Sequence, residues 1–267
     1  MDITTVRSYR VARTRADLQL ADGETLLAGG TWLMSEPQPD TTGFVDLTGM
    51  GWADIEATDG GLRIAATCPI ATLVDWAAHA PAAWPAAALI PDAANALLAS
   101  FKIWNTATVG GNICRGFAAA AMVSLCVALD GVAVIWSGER ETRMPVAELV
   151  TGNGTTVLER GDVLRAVEFP AHALASRALL RKIALAEHGR SGAVVTGRVD
   201  ADGSAVFTIT AATVSPAVLR FSGPPGPAEL AAAVASARGY YTDPLGPADW
   251  RRAVSGVLAE RIRTELA

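Results

Sequence analysis

Two short glycine-bearing stretches hold the residues of this 267-residue chain best suited to binding chemistry. Leu26-Leu27-Ala28-Gly29-Gly30-Thr31 closes one apolar run, and Thr108-Val109-Gly110-Gly111-Asn112 precedes another. Paired glycines leave successive backbone N–H groups unobstructed, and such groups form a concave donor surface for phosphate oxygens. Thr31 and Thr108 add hydroxyl donors, and Asn112 adds an amide. One loop after a strand and one ahead of a buried helix suit a diphosphate gripped from two sides. On residue types alone this is a candidate dinucleotide site.

Other chemistries lack their residues. The three histidines, His79, His172 and His188, show no HExxH or HxH spacing, and Gly189-Arg190-Ser191-Gly192 misses the GxSxG spacing of a nucleophile turn. There is no GxxxxGK[ST] phosphate loop and no GxGxxG fingerprint. Cys68, Cys114 and Cys126 include no CxxC pair and are too few to hold an iron–sulfur cluster or a tetrahedral zinc. They are expected to be free, mostly buried thiols in a reducing compartment. The 22 basic and 27 acidic residues leave a net charge of −5 without a basic cluster, which argues against a nucleic-acid partner. The longest apolar run, Phe117 to Leu129, ends at Asp130 and is shorter than the ~20 residues that span a bilayer. The N-terminal MDITTVRSYRVARTRADL has no apolar signal region. The expectation is a soluble cytoplasmic protein with no membrane partner.

The elements that position these loops alternate along the first half. Strands are expected at ETLLAGG (24–30, ending in a glycine turn), GFVDL (43–47) and GLRIAAT (61–67). Thr67 and Pro69 suggest a cap and first turn for a helix over 70–78, and 85–98 is helical by composition. TVGGNI is expected as a loop, 118–128 as a buried helix and GVAVIWS as a strand. EFPAHALASR (168–177) reads as a connection between two units. Beyond it SRALLRKIAL, SGAVVTGRVD and AVFTITAATV read as three strands, the last two joined by a turn at Asp202-Gly203. SGPPGP breaks the pattern, and helices follow at about 228–237 and 247–266. The pattern is that of a layered α/β or α+β protein.

At the glycine loops the chain resembles a known family. LLAGGTWL (26–33) and TATVGGNIC (106–114), in this order and separation, are similar to the FAD-binding medium subunit of molybdenum hydroxylases, which include carbon monoxide dehydrogenase and bacterial xanthine dehydrogenase. FVDLTGM, GLRIAAT, VALDGVAVI, GDVLRAVEFP (161–170) and LLRKIAL (179–185) extend the resemblance over essentially the whole chain. It implies an α+β fold: a two-part FAD-binding domain of the vanillyl-alcohol-oxidase (PCMH) type over 1–172, with subdomains of about 1–52 and 53–172. A small three-stranded C-terminal α+β domain of the CO dehydrogenase flavoprotein type would follow over 173–267. Carried over by position, Leu27, Ala28, Gly29, Gly30, Thr31 and Trp32 would lie along the FAD diphosphate. Thr108, Val109, Gly110, Gly111 and Asn112 would grip it from the other side, and Leu164 and Lys182 would lie near the flavin ring.

The resemblance also implies a function and partners. The chain would pass electrons from [2Fe-2S] clusters of a small subunit, through FAD, to an external acceptor. A large molybdopterin subunit would oxidise substrate, in a dimer of heterotrimers. No metal site and no substrate-oxidising residue is expected in this chain. One departure stands out: relatives carry Ser-Pro-x-x-Asp after GGN, whereas here the stretch is Phe117-Ala118-Ala119-Ala120-Ala121. Ala121 replaces a carboxylate that binds the FAD ribityl chain, a loss on the order of 1 kcal/mol or roughly tenfold in affinity. That departure motivates an alternative, a flavin-poor scaffold subunit of the same complex.

Overall fold

Strands β1 (Ser8–Val11), β2 (Glu24–Leu27) and β3 (Gly43–Asp46) form a small parallel sheet in the order β1-β3-β2. The computed structural model describes residues 3–267, so the first two residues of the expected 1–172 and 1–52 units lie outside the described residues. Ala12, Leu18, Val45 and Leu47 bury one side of this sheet together with Val163. Asp46 accepts from the Thr48 amide at the turn after β3 and from the Tyr9 hydroxyl across the sheet.

The second sheet is antiparallel. It contains β4 (Ile55–Thr58), β5 (Gly61–Ala65), β6 (Val132–Ser137) and β7 (Arg140–Pro145), followed by the hairpin β8 (Val150–Gly152)–β9 (Thr155–Thr156), which stands apart. The long β10 (Val163–Pro170) inserts between β5 and β6, so the order is β4-β5-β10-β6-β7. The helices between β5 and β6 are α1 (Ile70–Ala77), α2 (Leu89–Ala96), α3 (Phe101–Trp104), α4 (Val109–Cys114) and α5 (Ala121–Ala128). Short α6 (Val146–Leu149) and α7 (Ala171–Leu174) follow β7 and β10. Helix α5 is apolar all round and every residue of it is buried, as a helix enclosed on all sides must be.

The third sheet pairs β11 (Arg177–Ile183), β12 (Ala193–Val199), β13 (Ala205–Thr210) and β14 (Ala217–Phe221) in sequence order, and α8 (Pro227–Ser236) and α9 (Ala248–Leu266) follow. Successive side chains of a strand point to opposite faces. Ala193, Val195, Phe207 and Ile209 pack with Leu258, Ile262 and Leu266 of α9. Val194 joins the core around α2 and α5. On that same side Thr196 pairs with Thr208 (2.5 Å) and Thr210 with Ser124 of α5 (2.6 Å). The sheet is thus covered on both faces, which is why β12 and β13 read as near-continuous buried runs.

Several expectations are corrected. TVGGNI is no loop: Thr108 caps α4, its hydroxyl accepting from Gly111 N at 3.0 Å. The C-terminal sheet has four strands, because Ala217–Phe221, flanked by Ser-Pro and Ser-Gly-Pro-Pro, is held as an edge strand by β13. The stretch 168–177 does connect the second and third sheets, from β10 through α7 to β11, but it is packed rather than free, since Phe169, Ala173 and Leu174 belong to the central core. Helix α5 begins at Ala121 rather than 118, and α1 starts after Pro69 without a side-chain cap from Thr67. Among the described residues no helix is long and apolar enough to cross a membrane, and no cluster of metal-ligating side chains occurs.

Candidate functional site

A cavity of about 660 Å³ lies where all three layers meet. Its walls come from the loop after β2, from α4 and the turn beyond it, from Leu164 of β10, and from Arg190, Tyr241 and Leu245 of the C-terminal unit. The loop after β2, residues 28–33, carries the main polar feature. None of the amide N–H groups of Gly29, Gly30, Thr31, Trp32 and Leu33 donates to an acceptor among the described residues, although the loop is tied down by Met34 N to Gly30 O (2.8 Å) and Ser35 N to Trp32 O (3.0 Å). Buried backbone donors are nearly always paired, so such a row on a cavity wall marks a place for an external acceptor. Gly30 has φ +66°, the left-handed conformation that turns the row inward at no steric cost.

The first loop sits directly on the chain leading into α4. A Cβ at Gly29 would come within 2.7 Å of the Thr106 carbonyl carbon and closer still to its oxygen, so only glycine permits this seating. At the second motif the backbone donors of residues 109–112 are spent. Val109 N donates to Cys68 O (2.9 Å), Gly110 N to Ala66 O (2.9 Å) and Asn112 N to Thr108 O (3.0 Å). The adjacent glycines therefore have separate tasks. A Cβ at Gly110 would lie 2.7 Å from the Ala66 backbone, so this glycine lets α4 press onto β5. Gly111 is exposed on the cavity wall and would meet only Thr108 Oγ1.

Of the residues singled out in sequence, Ala28, Gly29, Gly30, Thr31, Trp32, Thr108, Gly110, Gly111, Asn112 and Leu164 converge on the cavity. Leu27 and Val109 are buried in the core behind it. Lys182 is not on the wall, and its ammonium donates to the Asn95 carbonyl at 2.7 Å, binding β11 to the end of α2. Ala121 is buried as the first residue of α5, while Ala119 and Ala120 face the cavity and offer it no polar side-chain atom. The Asn112 Oδ1 accepts from Met122 N at 2.9 Å, orienting its amide nitrogen away from that bond. Two thiols are buried, but Cys114 opens into the cavity. The protein mass around it still pushes its pKa up to about 12, so it is held as a thiol.

Sequence reading missed Arg115, Phe117, Arg190 and Tyr241. Arg115 directly follows the second motif, so a signal existed. Arg190 and Tyr241 reach the cavity through long-range folding. The fully buried Arg251 donates to the carbonyls of Gly192 (2.7 Å) and Gly246 (3.1 Å) and to Asp243, stacking on Tyr241 at 4.2 Å; this builds the rim from three separate segments.

The geometry is that of a largely apolar cavity walled on one side by backbone amides without acceptors among the described residues, a donor set that suits an anionic group such as a diphosphate. Residues 5–172 match the family model for the FAD binding domain in molybdopterin dehydrogenase, and the chain belongs to that family. It is 31% identical over 179 residues to the xanthine dehydrogenase FAD-binding subunit of Escherichia coli O157:H7. That alignment covers 61% of this chain and 57% of that subunit, so the chain matches little more than half of its relative's length. The fold as a whole resembles solved structures. CO dehydrogenase from Oligotropha carboxidovorans superposes with a TM-score of 0.85 at 20% identity, over 100% of this chain and 99% of that one. CO dehydrogenase from Hydrogenophaga pseudoflava gives 0.82 at 20% identity, over 100% and 98%. Quinoline 2-oxidoreductase from Pseudomonas putida 86 gives 0.81 at 18% identity, over 100% and 98%.

Proposed function

We propose that this chain is the FAD-binding electron-transfer subunit of a molybdenum-dependent hydroxylase or dehydrogenase. The single observation carrying this reading is the row of amides at Gly29–Leu33, unpartnered among the described residues, on the wall of a mainly apolar cavity. That donor set fits a diphosphate, and the apolar remainder fits the planar rings of a dinucleotide. Bound FAD supplies one- and two-electron redox chemistry, while the protein contributes binding, orientation and electrostatics. The chain's own part follows from its residues. The Gly29–Leu33 amides would hold the diphosphate, with Gly111 and Asn112 opposite. Leu164 and the Leu97–Leu98 segment would keep water from the ring, and Tyr241 and Arg190 would close the far end.

The finer features belong to the same reading. The two-part FAD-binding fold of the vanillyl-alcohol-oxidase type would span 1–172 and the C-terminal domain 173–267. With no metal-ligating cluster among the described residues, oxidation of substrate would fall to partners. These are a large molybdopterin subunit and a small [2Fe-2S] subunit, in a dimer of heterotrimers in the cytoplasm. The test is to express the chain with its partner subunits, purify the assembly and record its visible spectrum before and after heat release of cofactor. One FAD per copy is expected. A flavin-free assembly that shows no spectral change on adding FAD would refute electron transfer and favour the scaffold alternative.

A further inference from the structure

Among the described residues two basic side chains line the cavity, Arg115 at the end of α4 and Arg190 on the C-terminal rim. The Arg115 guanidinium carbon lies 3.8 Å from the centroid of the Trp32 ring and 4.4 Å from that of Phe117, and the two rings meet edge to face at 6.4 Å. The side chain thus spans from the end of α4 to the amide row that contains Trp32. Stacking leaves the N–H edge of a guanidinium free for an acceptor. Among the described residues the Arg115 side chain makes no hydrogen bond and no ion pair, and its Nε is buried without a partner, while its backbone N–H only closes α4 on Gly111 O (3.2 Å). Burial also pulls its pKa below the ordinary arginine value, as expected for a cation short of a counter-charge.

Among the described residues neither carboxylate on the cavity wall pairs with it. The Asp162 carboxylate is taken by Ser137 Oγ (2.5 Å) and Glu159 N (2.9 Å), and that of Asp243 by Arg251 and Leu245 N (2.8 Å). A buried unpaired charge is costly, and the guanidinium fork matches phosphate oxygens in geometry and sign. We infer that Arg115, held against Trp32 and Phe117, is the counter-charge of the cofactor diphosphate and binds the phosphate oxygens that the Gly29–Leu33 amides also face. This rests on the FAD reading and adds a binding residue to it. It also accounts for aromatic side chains at positions 32 and 117, which hold the arginine in place.

The test uses the purified full-length chain stripped of flavin, titrated separately with FAD, ADP and riboflavin by fluorescence or calorimetry. ADP carries the diphosphate without the flavin ring, and riboflavin carries the ring without phosphate. Arg115→Met should lose roughly 10- to 100-fold in affinity for FAD and ADP and leave riboflavin unchanged. Arg115→Lys, which keeps the charge without the fork, should fall between and also guards against a misfolded methionine variant. Equal losses for riboflavin and FAD would make Arg115 a brace for the two rings and overturn the inference. Unchanged FAD and ADP affinities in a wild type that binds both would overturn it while leaving the FAD reading intact. A wild-type chain that binds none of the three would overturn both.

Discussion

The division of labour between Gly110 and Gly111 allows a sharp test with one methyl group each. A Cβ at Gly110 would sit 2.7 Å from both the Ala66 Cα and its carbonyl oxygen, where ordinary contacts are 3.4–4 Å. Backbone cannot rotate away, so α4 must retreat from β5 by about 1 Å, at an overpacking cost of roughly 1–3 kcal/mol. Retreat also strains the bonds from Gly110 N to Ala66 O and from Val109 N to Cys68 O, both 2.9 Å, each worth about 0.5–1.5 kcal/mol. Alanine's better helix propensity returns about 1 kcal/mol. Gly110→Ala should therefore cost about 1–5 kcal/mol net, a fall in Tm of roughly 2–20 °C for a chain of this size. A Cβ at Gly111 meets only the Thr108 hydroxyl, at 2.9 Å. There the propensity gain of about 1 kcal/mol offsets a weakened cap of similar size, so Tm should stay within about 2 °C. The same methyl projects into the cavity, and FAD affinity should fall on the order of tenfold. Calorimetric melts of the flavin-free chain and FAD titrations decide the matter. A Gly111→Ala variant that loses as much Tm as Gly110→Ala, or a Gly110→Ala variant that melts like wild type, would refute the assignment.

Two further outcomes follow from ion pairs. Arg10 grips Glu24 through Nε (2.9 Å) and Nη2 (2.8 Å), holding the Glu24 carboxyl at about 2 rather than its ordinary 4.5. A depressed carboxylate stabilises the fold above pH 4.5, and that contribution is lost as pH falls toward 2, so Glu24→Gln should flatten the dependence of Tm on pH across this window. Arg198, 2% exposed, donates to Asp200 (2.8 Å), to the Ala128 carbonyl (2.8 Å) and to Asp130, tying β12 to the end of α5. Arg198→Ala leaves Asp130 to Arg220 and Asp200 to the Ser176 hydroxyl, and should cost about 3 kcal/mol by chemical denaturation, while a wild-type midpoint would refute a structural role.

The amino-acid sequence by itself determined the strand and helix order over much of the chain, the turn at Asp202-Gly203 and the two glycine motifs. These rest on local chemistry: apolar periodicity, turn residues and the absence of a side chain at Gly29, Gly30, Gly110 and Gly111. Family resemblance, too, was legible there, because those motifs recur at a set separation. Tertiary structure alone decided what each glycine does. A Gly-Gly pair is an amide row after β2, whereas in α4 Gly110 is a packing surface, because Ala66, Cys68 and Thr108 supply acceptors to the second motif and none among the described residues accepts from the first. Edge strand β14 was hidden by its flanking prolines and exists because β13 offers it a ladder. Lys182 lies off the cavity wall because β11 brings it to the Asn95 carbonyl. Tyr241 and Arg190 reach the cavity for the same kind of reason, and Arg115 meets Trp32 there: a charge or ring acquires a partner from a distant segment, and no spacing along the chain records which segments meet.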